Sequence, residues 1–156
     1  MSLSLTLSKI IHSLPSRVKI GSRYIGQGEP VYCIAEVGNN HNGELELAKK
    51  TILAAKEAGA EAVKFQKRNV AAVFTKEMRE MAYDNPRSLA PTYGEHREKL
   101  EFTKEQFLEL KKCAEDAGMV MFVTPFDLQS ADFLEDIGVH AYKISSFDVT
   151  NIPLLK

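Results

Sequence analysis

Glu36, Lys64, Gln66, Thr124, Lys143 and Ser146 carry groups suited to proton transfer and anion binding, and each closes or interrupts an apolar run. The runs are Val31-Tyr-Cys-Ile-Ala-Glu36, Ala60-Glu-Ala-Val-Lys-Phe-Gln66, Met119-Val-Met-Phe-Val-Thr124 and His140-Ala-Tyr-Lys-Ile-Ser-Ser146. In an extended segment alternate side chains point to opposite faces, so Lys64 and Gln66 share one face and Val63 and Phe65 the other. A lysine facing an apolar interior needs a negative partner to offset its desolvation. A phosphate or carboxylate ligand would serve, and so would an ion pair with Glu36. A third option is a Schiff-base lysine.

Lys143 repeats the pattern, with Ser145 on its face and Ser146 and Asp148 following. Two ammonium groups with the hydroxyls of Thr124, Ser145 and Ser146 make a cradle for a small anion. Glu36 stands where an apolar run should continue, so it either pairs with a cation or works as an acid–base group. After it, Gly38 and Gly43 bracket Asn39-Asn40-His41-Asn42. That stretch reads either as part of a site or as a solvated loop with an Asn cap for the next helix. No second His or Cys lies at ligand spacing from His41, so a loop-shaping hydrogen bond fits it better than metal ligation.

The elements that would position these groups follow one grammar: strand, polar loop, amphipathic helix, glycine, strand. Ala48, Ile52, Ala55 and Ala58 recur at helical spacing before Gly59. Thr103-Lys-Glu-Gln106 is a capping box, Phe107, Leu110, Ala114 and Ala117 form the buried face behind it, and Gly118 ends that helix. A shorter helix after Asp127 carries Ala131, Leu134 and Ile137 before Gly138. Strands alternating with helices imply an α/β fold with a parallel sheet and right-handed crossovers. Catalytic groups at strand exits are how an α/β barrel builds its site, so the expectation is the first half of a (β/α)8 TIM barrel, about four parallel strands with intervening helices.

Residues 1–30 form a lead-in, with a short amphipathic stretch and then a candidate hairpin around Val18–Gly26. Residues 31–156 are expected to form a partial TIM-barrel domain truncated after its fourth strand. The long connection from Gln66 to Thr103, with a short helix between Phe74 and Tyr83, is expected to be a lid, because long segments in compact domains are usually functional or disordered.

Composition narrows the partners. Twenty Lys and Arg against 21 Asp and Glu give a formal charge of −1, with the signs interspersed. No basic stripe favours nucleic acid, and no apolar stretch is long enough to span a bilayer. Cys33 and Cys113 are isolated, read best as small core hydrophobes, and suit a reducing cytoplasm. The N-terminus lacks the basic leader and apolar core of a signal peptide.

Taken together, Ile34-Ala-Glu-Val-Gly-Asn-Asn-His-Asn-Gly43, Val63-Lys-Phe-Gln-Lys67, Thr92-Tyr-Gly-Glu-His-Arg-Glu-Lys-Leu-Glu-Phe102, Val123-Thr-Pro-Phe126 and Tyr142-Lys-Ile-Ser-Ser146 resemble the sialic acid synthase family, in family order. The resemblance implies condensation of phosphoenolpyruvate with an N-acyl-mannosamine-type aldehyde and water, giving a nonulosonic acid and phosphate. By motif, Glu36 would be the acid–base group. Lys64, Thr124, Lys143 and Ser146 would bind phosphoenolpyruvate, and Gln66 and Asp148 would face the sugar. Asp148 stands where relatives often carry Glu, and Tyr93 and Glu95 could approach the sugar from the lid.

The family also implies a divalent metal, Mn2+ or Mg2+, held by two histidines from the second barrel half, with no ligands in this chain. It further implies a homodimer completed by a small C-terminal domain. The chain is then expected to be an N-terminal fragment with little activity alone. The Lys-Phe-Gln-Lys and Tyr-Gly-Glu-His details lean towards the N-acetylneuraminate branch. Two other readings stand beside this one: a Schiff-base aldolase using Lys64 or Lys143, and a catalytically silent module that binds through open strand edges.

Overall fold

A computed structural model describes residues 16–156, which fall into two compact units divided after Tyr32. The amphipathic stretch expected near the N-terminus lies outside the described residues. In the first unit, β1 (Arg17–Ile20) and β2 (Arg23–Gly26) form an antiparallel hairpin, with Val18 opposite Ile25 and Lys19 opposite Tyr24. Arg17 closes an ion pair with Glu29 at 2.9 Å.

The second unit is a four-stranded parallel sheet in the order β3 (Ile34–Gly38), β4 (Ala62–Lys67), β5 (Val120–Pro125), β6 (Ala141–Tyr142). Sequential strands are spatial neighbours, and a helix covers each crossover: α1 (Leu45–Glu57) after β3, α5 (Lys104–Asp116) before β5, and α6 (Leu128–Ile137) after it. The helix faces read from the periodicity are the ones that bury Ala48 and Ile52, then Phe107, Leu110 and Ala114, then Leu134 and Ile137. They close on Val37, Val63, Phe65, Met121 and Val123 from the sheet to make one core.

The helix ends follow local chemistry. Thr103 and Gln106 form the expected reciprocal capping box, and Asp127 caps α6 by accepting from Ser130 N–H at 2.7 Å. The first helix differs from expectation: its N-cap is Glu44, with no side-chain cap bond, while Asn42 sits at a left-handed φ of 52°. Asn42 shapes the turn into the helix rather than capping it. Asparagine tolerates that region better than most residues.

The segment between β4 and α5 is built from short pieces, each with its own cap: α2 (Val70–Val73) on Asn69, α3 (Lys76–Glu80) on Thr75, and α4 (Tyr93–Glu98) on a Thr92–Glu95 capping box. An isolated antiparallel bridge joins Ala82 to Thr92. Tyr93 packs edge-on against Phe74 and Tyr83, and Tyr83 lies 4.7 Å from the His96 ring. The helix expected between residues 74 and 83 is confined to Lys76–Glu80, because Thr75 starts it and the chain turns extended at Met81.

Candidate functional site

The register of the parallel sheet decides which groups meet. Glu36 lies opposite Lys64, Lys64 opposite Phe122, and Gln66 opposite Thr124. Paired residues of neighbouring strands point the same way, so Glu36, Lys64, Gln66 and Thr124 share the face away from the helices. Lys143 joins as the chain leaves β6, its N–H donating to the Val123 carbonyl at 3.0 Å. Ile34, Glu36, Lys64, Phe122, Tyr142 and Lys143 line a concavity of about 250 Å³ on that face.

At its centre Lys64 Nζ meets Glu36 Oε1 at 2.7 Å. The pair is asymmetric: the Lys64 side chain is 7% exposed and that of Glu36 is 59% exposed. The cation is therefore fixed inside the site while the carboxylate keeps contact with solvent at the mouth. A register shift between Glu36 and Gly38 ends the regular pairing there, and Gly38 adopts φ 54°. A Cβ on Gly38 would lie 2.9 Å from Glu36 Oε1 and 3.8 Å from Gln66 Nε2. The bare glycine makes the space in which carboxylate and amide come together.

Thr124 is 1% exposed, and its Oγ1 has no hydrogen-bond partner among the described residues. An unsatisfied buried hydroxyl costs about 1–3 kcal/mol, an expense that a polar ligand would remove. Ser145 is buried and its Oγ accepts from Phe147 N–H at 3.3 Å, whereas Ser146 is exposed. Asp148 is buried and accepts from Asn151 Nδ2 at 3.1 Å. Ser146 and Asp148 thus lie on the turn after β6, and the bonds of that turn are local. Tyr93 and Glu95 are similarly engaged: the Tyr93 hydroxyl accepts from Arg97 Nε at 2.9 Å, and Glu95 belongs to its capping box.

His41 shapes the loop, as its isolation suggested. It is 2% exposed, stacks on Phe102 at 4.4 Å, and its Nδ1 accepts from Gly43 N–H at 3.0 Å. Burial pulls its pKa down to about 4, against a smaller opposing effect from a hydrogen bond to the Gly38 backbone. The ring is therefore neutral at physiological pH. Among the described residues no group of three His, Cys, Asp or Glu side chains converges as a metal site, and no helix is long and apolar enough to cross a membrane. Cys33 departs from its expected place in the core: it is exposed, because it precedes β3 rather than lying within it. Cys113 is half-buried against the core, which raises its thiol pKa.

The residue that sequence reasoning missed is Arg68, 5% exposed. Its guanidinium lies 4.6 Å from the Phe126 ring centroid and 3.5 Å from Glu101, and it donates to Gln66 Oε1. Burial pushes its pKa down, with Glu101 opposing. The available signal was the alternation itself: continued past Lys67, it places Arg68 on the face of Lys64 and Gln66.

A larger concavity, about 410 Å³, lies between α1 and α5 and is lined by Lys49, Glu109, Lys112 and Asp116. Its charges are already paired, Lys49 with Glu46 and Glu109 and Lys112 with Asp116. The strand-end site, by contrast, keeps the unpartnered Thr124 hydroxyl and the exposed Lys143.

Comparison with known proteins bears on the family and the fold. The model of the NeuB family matches residues 51–156. The N-acetylneuraminate-9-phosphate synthase of Homo sapiens is 38% identical over 134 residues, which cover 86% of this chain and 37% of the relative. The N,N'-diacetyllegionaminic acid synthase of Legionella pneumophila is 39% identical over 132 residues, covering 84% and 37%. The crystal structure of N-acetylneuraminic acid (sialic acid) synthetase from Leptospira borgpetersenii, in complex with citrate, matches with a TM-score of 0.73 at 35% identity. That match covers 89% of this chain and 44% of the other. The expected α/β arrangement, a parallel sheet with flanking helices, is thus similar to the sialic acid synthetase barrel. The chain spans 37% of the length of these curated relatives. On sequence and fold together, this chain belongs to the NeuB family.

Proposed function

We propose that this chain supplies the phosphoenolpyruvate-binding part of a synthase that joins phosphoenolpyruvate, an N-acyl-mannosamine-type aldehyde and water into a nonulosonic acid, releasing phosphate. The observation that carries the reading is the convergence of the Lys64–Glu36 pair, Gln66 and the unpartnered Thr124 hydroxyl at the strand exits. Lys64 and Lys143 supply positive charge for the substrate's carboxylate and phosphate, Thr124 and Ser146 supply hydroxyl donors, and Gln66 and Asp148 face the sugar. C3 of phosphoenolpyruvate forms the new bond to the aldehyde carbon, whose oxygen takes up a proton. Water then adds at C2 and gives up a proton, and the C2–O bond to phosphate breaks.

Glu36 is placed to move these protons. Without substrate its carboxylate is held by Lys64, and an arriving anion competes for that ammonium and frees the carboxylate. The same ion pair weighs against a Schiff base at Lys64, because the Glu36 carboxylate already engages its nitrogen at 2.7 Å.

A divalent ion, Mn2+ or Mg2+, belongs to the proposal as a component of the full-length protein. In this reading its ligands are two histidines from the second half of the barrel, and no step assigned above passes through it. A homodimer working in the cytoplasm completes the reading. The test is phosphate release and product formation by the full-length protein with phosphoenolpyruvate, Mn2+ and a panel of N-acyl-hexosamines. Condensation with an N-acyl-mannosamine, and no borohydride-trapped imine, is the expected result. Borohydride trapping at Lys64 or Lys143, or no condensation with any member of the panel, would sink the proposal.

A further inference from the structure

We infer that Arg68 is a positioning residue that fixes the side-chain amide of Gln66 with its NH2 group turned into the site, making Gln66 a hydrogen-bond donor to a substrate oxygen. The inference rests on the condensation reading for its kinetic consequence, but its geometric content stands apart from it.

A glutamine amide presents an acceptor oxygen on one side and a two-proton donor on the other, and turning it over exchanges them at little intrinsic cost. A guanidinium has donors only, so the atom of Gln66 that Arg68 Nη2 meets is the carbonyl oxygen. That leaves Nε2 on the side of Gly38 and Glu36, 3.8 Å from where a Gly38 Cβ would stand. The reversed amide would set its NH2 against the guanidinium and its oxygen towards the Glu36 carboxylate, opposing like partners at both ends.

Arg68 is itself held. Its own backbone N–H donates to Glu101 Oε2 at 3.1 Å, its guanidinium lies 3.5 Å from Glu101 Oε1, and Phe126 covers its face. Lys67 keeps Glu101 in place from the other side at 3.1 Å. The chain of contacts runs from Lys67 through Glu101 and Arg68 to Gln66, and only the last member reaches the site. Phosphoenolpyruvate oxygens and sugar hydroxyl or acyl oxygens can accept from the amide so presented; an ammonium cannot.

The experiment uses the full-length protein and has a kinetic and a structural arm. Arg68→Met should raise KM for the amino sugar about tenfold while changing kcat little, the size of one lost charge-assisted contact. Arg68→Lys, which still offers a donor to the oxygen, should recover part of that loss. In a Gln66→Ala background, Arg68→Met should add no further effect. Independent, multiplying effects of the two substitutions would overturn the inference, as would an unchanged KM in Arg68→Met.

Should Arg68→Met fail to fold, the lysine variant and the structural arm decide. Neutron diffraction of the deuterated wild-type protein should show the Gln66 amide deuterons on the side of Gly38, and deuterons facing Arg68 would overturn the proposal. Because that readout needs no turnover, a wild-type protein that fails to condense its substrates sinks the proposed function alone.

Discussion

The two faces of the β3–β6 sheet are made from the same strands and do opposite jobs. Towards the helices, Val37, Val63, Phe65, Met121 and Val123 are buried to within 1% exposure and join the core. On the other face, Glu36, Lys64, Gln66, Thr124 and Lys143 replace packing with charge and hydrogen-bonding groups. On β4 the contrast falls between consecutive residues, because side chains alternate sides along a strand. Stability and chemistry are therefore separable by a single step along the chain. The apolar run that carries both looks uniform only when its residues are averaged.

The sharpest way to break that comparison is to change neighbours. Phe65→Ala empties a fully buried site in the core and should cost about 3–5 kcal/mol of unfolding free energy in denaturant titration. Lys64→Met, one residue earlier, keeps the volume and leaves behind a carboxylate that is largely solvated. Its stability should change by less than about 1 kcal/mol, while kcat/KM for condensation in the full-length protein should fall on the order of 10³-fold. If Lys64→Met unfolds the protein as Phe65→Ala does, the two faces are not separable and Lys64 belongs to the core.

Much of this division was legible in the sequence. The alternation in Val63-Lys-Phe-Gln66 and the capping box at Thr103 are local signals, and both the faces and the helix start follow from them. Arg68 was hidden because it lies just past the strand, where alternation is no longer expected to hold, and because an arginine in a loop reads as solvated. Its burial comes from Phe126 and Glu101, neighbours that only the tertiary fold supplies. The segment between residues 67 and 102 was opaque for a different reason: helices of four to six residues are too short to show a period. Their caps, Asn69, Thr75 and Thr92, were the available marks.

His41 sharpens the comparison from the loop between the faces. Its ring packs against Phe102 on the core side while its backbone neighbours frame Gly38 and the site. With a pKa near 4 in the fold and about 6.5 in the unfolded chain, the imidazole is neutral in both states above pH 6.5. Below that, the unfolded chain takes up a proton that the folded ring refuses. Stability then falls as pH drops from about 6.5 towards 4, by about 3 kcal/mol at the end of the window. Denaturation midpoints of wild type and His41→Gln, followed from pH 7 to pH 4, should converge as the wild type loses this contribution. Parallel curves would mean that the ring is protonated in the fold.

The smallest change tests whether the space at Gly38 matters to the site or only to the backbone. Gly38 and Gly138 both adopt left-handed conformations, at φ 54° and 68°. Alanine at either position should cost about 1 kcal/mol from the backbone alone. They differ in what the new methyl meets: nothing within 4 Å at Gly138, but the Glu36 carboxylate oxygen at 2.9 Å at Gly38. That carboxylate ends a flexible, half-exposed side chain, so it will move rather than force the strand apart, and in moving it leaves Lys64. Gly38→Ala and Gly138→Ala should therefore show the same modest loss of stability, while only Gly38→Ala loses activity, by about tenfold for one weakened charged contact. Equal activity in the two variants would separate the Glu36–Lys64 geometry from catalysis, leaving Gly38 a turn residue like Gly138.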